Sequence, residues 1–541
     1  MSAPGSEKRI SLYEELREAL PRQLPGYLAS QRWFGGKARQ IRSTELVDVI
    51  PLPSARFEAF VLLARVEYAS GSGETYVLPI VCQREPVESQ RKAAALQVRS
   101  SERGIDLVLS DALRNEEFLL ALLDAIENRV VLSGVRGEIR AVYTSMFQEL
   151  RSSCSSAVRP RLLEGEQSNS SVIYGDCLIL KLFRRLEEGV NPDLEIGLFL
   201  TEKAHFRNIP PVAGWLEYQA GDGKPMSLAI LQGFVANEGD AWRLTLKALA
   251  SFWHDLSKHP RKDLPEASPN RNSALLDESN PPAVVSSWVA SYLDAVGLLG
   301  KRTAQMHLAL ASEPSDSAFA PEPYTASFQR ALAESVRGLT EQNFDLLRKK
   351  LPELPEEHRS QAGQLVDRRA EVLQRFHSAL GTPIRATRTR IHGDYHLGQV
   401  LYTGCDFVMI DFEGEPARPL SERRMKRSPL QDVAGMLRSF HYSAFGSLLV
   451  TPDEASAPDP NRRSLLPWAE NWHVWASTRF LKTYLENSGA AAYFPASREE
   501  LSRLLQLHLL EKAIYELGYE LNNRPTWVGI PLAGISGLLI S

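Results

Sequence analysis

Cysteine is scarce. Cys82, Cys154, Cys177 and Cys405 are four in 541 residues, and no two stand in a CxxC pair. That spacing argues against a metal site and against a disulfide framework. Neither sign of charge is in excess, with 62 basic against 66 acidic residues and a net charge of −4, so a nucleic acid or other polyanion is not the partner to expect. Neither end carries a long apolar run. The opening MSAPGSEKRISLYEE has no apolar stretch of the signal-peptide kind, and the closing WVGIPLAGISGLLIS is too short to span a bilayer. The expectation is a cytoplasmic protein with no membrane partner.

The chemistry is concentrated between Ile391 and Pro416, IHGDYHLGQVLYTGCDFVMIDFEGEP. A phosphoryl-transfer loop of the kinase type needs a carboxylate to accept the proton of the attacking hydroxyl and a metal-binding amide five residues later. His392-Gly393-Asp394 followed by Gln399 supplies both. A second acidic residue is then required at the end of a short hairpin. Gln399–Tyr402 and Phe407–Ile410 are apolar runs around the turn residues Thr403-Gly404-Cys405-Asp406, so they pair and end at Asp411. Taken singly, a His-Gly-Asp is as well explained by a turn or a helix cap; the joint spacing is what carries catalysis.

Length allows two to four domain-sized units. Residues 1–95 form a β-rich N-terminal cap: an amphipathic helix over 9–29, the run Gln31–Lys37 (QRWFGGK) as a loop anchored by its aromatic pair rather than a ligand loop, and strands between Ile41 and Arg84. Residues 96–235 form an intermediate β-rich subdomain, with a helical pattern over 109–127 and strands over 129–142. Within it, Glu166-Gln167-Ser168-Asn169-Ser170-Ser171 is not a GxGxxG loop, yet Ser168, Asn169 and Ser170 in such a turn leave N–H groups free for phosphate oxygens. Lys181 sits inside the apolar strand CLILKLF and needs a partner. The candidate is Glu195 on the following helix, the pair that kinases use on the α- and β-phosphates. The strand Met226–Val235 leads into a hinge where backbone groups of Gln232, Phe234 and Val235 would meet adenine. Residues 236–541 form a mainly helical lobe: 240–257, a polar connector over 258–282, then 283–312 and 324–380.

Ser428-Pro429-Leu430-Gln431 is an N-terminal helix signature. The helix it opens carries Asp432, read as a dipole partner in the first turn, and Arg438 and Tyr442, which share one side. Over 499–522, Leu510, Ala513, Ile514, Leu517 and Leu521 make a core face, while His508, Lys512, Tyr515 and Tyr519 line a face suited to a sugar.

Four stretches, HGDYHLGQVL, DFEGEPARPLSERRMKRSPLQDVAGMLRSF, EQSNSSV with NPDLEIG, and EKAIYELGYELNNRPTW, together resemble the bacterial maltokinases over essentially the whole chain. That resemblance implies an α+β, bilobal, aminoglycoside-phosphotransferase-like fold of the eukaryotic kinase type, preceded by a cap. It implies ATP and Mg2+ as cofactors, maltose as acceptor, maltose 1-phosphate as product, and a place between trehalose and α-glucan (glycogen), where the family works with, or is fused to, trehalose synthase. By motif, Asp394 is the base, Gln399 and Asp411 hold magnesium, Lys181 and Glu195 organise phosphates, and Lys512 and Tyr515 touch the sugar, with His396, Arg438 and Tyr442 as further sugar-site residues. The sequence departs from the family at His441, where an acidic residue is more usual. Two other readings stay open: a kinase of this fold acting on glucosamine or an aminoglycoside, and a non-catalytic nucleotide- or sugar-binding module.

Overall fold

The computed structural model describes residues 13–54, 57–83, 96–100, 105–154, 158–163, 168–259, 280–449, 464–489, 491–495 and 497–540. The chain divides into two compact units, Met1–Ala236 and Asn237–Ser541. The first holds two antiparallel sheets. The first sheet runs β1 (Ile41–Leu52), β2 (Glu58–Tyr68), β3 (Glu74–Gln83), β5 (Ile105–Asp111), β4 (Leu96–Ser100) in spatial order, with β11 (Arg185–Leu186) also on β3. The second runs β6 (Val131–Ser133), β7 (Gly137–Tyr143), β12 (Val212–Ala220), β13 (Met226–Gly233), β10 (Leu178–Phe183), β9 (Asn169–Tyr174), β8 (Pro160–Leu162).

Alternation of apolar residues along β1 to β3 gives the first sheet two buried faces. Leu62, Ala64 and Leu78 point to one side, against Leu16, Leu20, Leu28 and the aromatic pair Trp33 and Phe34. Ile50, Val61, Leu63 and Val77 point to the other, into a core shared with Leu132, Ile139, Tyr174, Leu178 and Leu216 of the second sheet. The RWFGGK run is an aromatic anchor, with Phe34 and Trp33 on the Tyr76 ring at 5.1 and 6.0 Å. The single helix read over 9–29 is two short ones in its described part, residues 13–19 and Leu24–Ser30, with a turn at Pro21 between them. The boundary expected after residue 95 falls inside the first sheet, because β4 and β5 return to the edge of β3. Their polar lead-in, residues 84–95, lies outside the described residues. The helix expected from 109 starts at Glu116, capped by the Asn115 side chain; residues 109–111 end β5.

One buried carboxylate joins the two sheets. A bulge between Leu46 and Asp48 turns Asp48 inward. Its oxygens accept N–H bonds from Val49, Val135, Arg136 and Gly137 and the Tyr218 hydroxyl, all between 2.8 and 3.1 Å.

The second unit is built on long helices: Ala241–Lys258, Ala283–Leu310, Ala326–Lys350, Glu356–Asp367, Arg369–Leu380, Pro429–Leu449, Leu466–Ser488, Arg498–Asn523 and Gly529–Ile540. Side chains of Asp240, Thr325 and Ser497 cap three of them. Ala283–Leu310 is long and apolar enough, by length and composition, to cross a membrane; here it packs along Leu466–Ser488. Most of the polar connector read over 258–282, residues 260–279, lies outside the described residues. The expected hairpin forms, Val400–Tyr402 pairing with Phe407–Met409.

Candidate active site

In the second unit, the loop that carries Asp394 is held from three sides. From the helix Pro429–Leu449, Asp432 accepts the backbone N–H of His392 at 2.7 Å and of Gly393 at 2.9 Å. From the hairpin, the Ile410 carbonyl meets His392 Nε2 at 2.9 Å. The Asp394 N–H points at Nδ1 of the same ring, 3.4 Å away, so the imidazole carries its proton on Nε2. From the helix Ala283–Leu310, the Thr303 hydroxyl bonds Tyr395 at 2.8 Å. Two glycines make the arrangement possible. Gly393 has φ +86°, a conformation L side chains rarely adopt; at Gly435 a Cβ would run into the Tyr395 carbonyl at 2.6 Å.

Beyond the loop, Arg302 grips Asp406 at the hairpin turn through two bonds of 2.8 and 2.6 Å. The hairpin delivers Asp411 with φ +66°, a strained setting for a non-glycine residue that costs about 1 kcal/mol or more. Gln399 Nε2 donates to Asp411 Oδ2 at 2.8 Å. A carboxylate accepts only, so the amide nitrogen faces it and Oε1 is the end left for a cation. Gln399 and Asp411 thus offer hard oxygen donors of the kind magnesium prefers.

At the acceptor end, Lys512 Nζ lies 3.2 Å from Asp394 Oδ1 and 3.2 Å from Glu415 Oε1, and 4.8 Å from the centre of the Tyr515 ring. Glu415 is buried, and Arg418 holds its other oxygen at 2.6 Å. Burial alone would raise the Asp394 carboxyl; the Lys512 ammonium, with His396 and His392, outweighs it and holds the group below the ordinary carboxylate value. Burial would also lower the Lys512 ammonium, but Asp394 and Glu415 hold it well above its ordinary value. Burial lowers His396, against the pull of Asp394. The Gly398 N–H donates to its Nδ1 at 3.1 Å, leaving an Nε2–H whose nitrogen lies 3.8 Å from Asp394 Oδ2.

Several expected site residues are engaged elsewhere. Arg438 is buried and donates to Glu516 from Nε and Nη2, at 2.8 and 2.7 Å; Tyr442 donates to Glu520 at 3.2 Å. The reason is geometric, since the side they share faces the helix Arg498–Asn523. His441 is buried between Phe445 and His473, with ring centroids at 4.3 and 5.1 Å. On the face read as a sugar wall, His508 is buried and bonded to Glu511 at 3.0 Å, while Tyr519 is exposed.

In the first unit, Lys181 projects from β10 and its Nζ lies 2.9 Å from Asp193 Oδ2. Asp193 stands in the first turn of Pro192–Leu198, a helix capped by Asn191. An acidic partner of Lys181 thus stands two residues before Glu195, the partner expected. Ser170 is a correction. It lies within β9, paired with Leu182, and its hydroxyl accepts from Arg184 at 2.9 Å, so it is not part of an open loop. Ser168 precedes that strand and Asn169 begins it; Glu166 and Gln167 lie outside the described residues. Arg184 is itself buried and also bonds Asp111 at 3.0 Å. At the end of β13, Phe234 donates its N–H to the Cys177 carbonyl at 2.8 Å, which removes that group from adenine recognition. Gln232 pairs with Ile179 in the ladder. Cys154 and Cys177 form a disulfide, against the expectation from spacing; the fold brings together a helix end and a strand turn that no CxxC rule would connect.

Sequence reasoning missed three carboxylates: Asp432, Glu415 and Asp193. Glu415 stands inside the DFEGEP block and Asp193 inside NPDLEIG, so the signal was present without a role attached to it.

Two known proteins align with most of the chain. It is 26% identical over 376 residues to a glucosamine kinase of Mycolicibacterium smegmatis, covering 69% of this chain and 78% of that protein. It is 24% identical over 378 residues to a glucosamine kinase of Streptacidiphilus jiangxiensis, covering 69% and 72%. A solved glucosamine kinase in complex with glucosamine, ADP and inorganic phosphate superposes with a TM-score of 0.59 at 18% identity, over 94% of this chain and 98% of that one. The fold is the expected α+β kinase fold with an additional β-rich cap, and the Asp394 loop supplies it with the residue set of ATP-dependent phosphoryl transfer. More particularly, the model of the maltokinase N-terminal cap domain matches residues 27–114, a span that takes in β1 through β5.

Proposed function

We propose that this kinase phosphorylates maltose at its anomeric hydroxyl, giving maltose 1-phosphate and ADP. The observation that carries the reading is Lys512. Its ammonium occupies Asp394 and Glu415, the two carboxylates at the acceptor end, so the ammonium of an amino sugar would meet a like charge where a neutral hydroxyl meets a donor and an acceptor. Tyr515 adds an aromatic ring beside Lys512, suited to the apolar face of a sugar. The cap match points the same way. The second reading, glucosamine as acceptor, draws its support from the two relatives and their names.

On this reading Asp394 orients the anomeric hydroxyl and accepts its proton as that oxygen attacks the γ-phosphorus in line, and the bond to the bridging oxygen of ADP breaks. Being held ionised, Asp394 is ready as the acceptor at neutral pH. Its neighbour His396 is neutral there, and its Nε2–H is a donor for a sugar oxygen. Lys181, with Asp193 and Glu195 near it in sequence, serves the nucleotide phosphates, Ser168 and Asn169 lie on the approach to them, and Val235 and Gln232 lie toward adenine. Gln399 and Asp411 would hold magnesium, which when bound neutralises charge on the phosphate oxygens. The work falls in the cytoplasm, between trehalose and α-glucan, with trehalose synthase as a possible associate.

A coupled ADP-release assay over maltose, glucose, glucosamine and kanamycin, with the phosphorylated carbon identified by phosphorus NMR, tests it. Maltose-dependent turnover with an anomeric phosphate is the expected result; turnover on glucosamine alone moves the function to the second reading.

A further inference from the structure

Cys154 and Cys177 make the one cross-link among the described residues, and Cys82 and Cys405 stand outside it. It joins the C-terminal end of the short helix Phe147–Ser153 to the end of the turn between β9 and β10. Both partners sit against the place where β13 leaves its sheet. The Cys177 carbonyl takes the Phe234 N–H at 2.8 Å. From the helix, the Leu150 side chain comes so close to Gly233 that a Cβ there would meet its Cδ2 at 3.1 Å. The disulfide therefore ties together the two supports of the segment Gly233–Val235, and β10, which it heads, carries Lys181.

Two features mark the cross-link as one that opens. Cys154 is only partly buried, so its sulfur can be reached by a small thiol from solvent. Each sulfur also has a carbonyl oxygen beside it: Leu150 O lies 3.5 Å from Cys154 Sγ and Tyr174 O 3.4 Å from Cys177 Sγ. A thiol on either side then has an acceptor, and reduction strands no donor, even at the buried Cys177. In the cytoplasm, where the proposed function lies, a thiol pool keeps structural disulfides reduced, and the pairs that do form there are usually transient and redox-active.

We propose that Cys154 and Cys177 are a reversible redox pair that sets the affinity for nucleotide. To close it, the Cys154 thiolate attacks one sulfur of a low-molecular-weight disulfide, giving a mixed disulfide and one released thiolate. The Cys177 thiolate then attacks the Cys154 sulfur and displaces the second. The two cysteines lose two electrons and two protons, and the small disulfide becomes two thiols. Closed, the pair holds the helix and the turn against Gly233–Val235; open, the helix end can move off that segment, and nucleotide is held less firmly. The redox part stands on the cysteine pair alone; the nucleotide part rests on the proposed function.

The test equilibrates the intact chain at a series of ratios of glutathione to glutathione disulfide, traps the thiols by alkylation and maps them by mass spectrometry. Expected is complete interconversion of the pair across the series. A pair that stays closed in excess glutathione, or open in excess glutathione disulfide, overturns the proposal. Calorimetric titration with ADP and magnesium, with no acceptor present, should give a Kd about 3- to 10-fold higher for the reduced protein than for the oxidised one, the loss of a preorganised segment. Cys154→Ser should match the reduced protein at every ratio. Equal affinity in the two forms overturns the link to nucleotide, and so does a Cys154→Ser affinity that still follows the glutathione ratio, since another thiol is then the switch. Absence of ADP binding in both forms sinks the kinase reading alone, and the thiol map still decides the redox pair.

Discussion

Asp48 and Asp432 solve the same physical problem in different halves of the chain. Each is a buried carboxylate whose oxygens accept consecutive backbone N–H groups from a distant loop: Val135 to Gly137 for Asp48, His392 and Gly393 for Asp432. A buried charge of this kind is tolerable only when hydrogen bonds replace its water. What differs is what the loop carries. The loop on Asp48 is a hairpin turn with no reactive group, so its clamp serves stability; the loop on Asp432 carries Asp394, so its clamp serves geometry. Residue type and burial are alike in the two places, and neither announces which of them touches function.

The sharpest break lies between fold and chemistry at Asp394 itself. Asp394→Asn should lower kcat on the order of 10³-fold, the scale of a lost general base, with sugar binding and melting temperature close to native; steady-state kinetics and calorimetry check it, and an active variant refutes the assignment. Next in size, Asp48→Ala takes the acceptor from five N–H or O–H donors, of which the Val49 N–H and the Tyr218 hydroxyl are buried. It should cost about 3 kcal/mol of stability, read by denaturant unfolding, while kcat per folded molecule stays native. Should Asp48→Ala reduce kcat without loss of stability, the contrast drawn between the two clamps is wrong.

The smallest expected effect is a shift along the pH axis. Lys512 is the strongest attraction keeping the Asp394 carboxyl below the ordinary range. Lys512→Met should therefore move the acidic limb of kcat upward, since Asp394 then takes up a proton at higher pH. The sign for stability follows the same pair. The lowered Asp394 contributes stability above its unfolded value, lost as pH falls through the folded one. The raised Lys512 contributes stability below its unfolded value, lost as pH rises through the folded one. An acidic limb that stays in place in Lys512→Met would show that another group sets it.

The sequence was readable where partners are near one another along the chain. Asp394, Gln399, the hairpin and Asp411 lie within eighteen residues, and the spacing itself encodes the turns that bring them together. The helix Arg498–Asn523 is equally plain from the spacing of Leu510, Ala513, Ile514, Leu517 and Leu521. The sequence presents Asp432 as a dipole partner because the loop it serves stands 40 residues away, a separation on which no local pattern reports. The same holds for Asp48, 87 residues from Val135 and 170 from Tyr218. Cys154 and Cys177, 23 residues apart, could be joined only once the strand order was known. Arg438 and Tyr442 were correctly placed on one side of a helix, but periodicity does not say whether that side meets a substrate or another helix. Here Glu516 and Glu520 answer it.

The link from Asp48 to Tyr218 also bears on how the chain is made. A ribosome adding roughly 5–20 residues per second needs on the order of ten to thirty seconds to cover the 170 residues between them. Throughout that interval the strand carrying Asp48 has been made while the strand that completes its shell has not. The inner side of the first sheet, with Ile50, Val61 and Val77, must wait in the nascent chain for its partner.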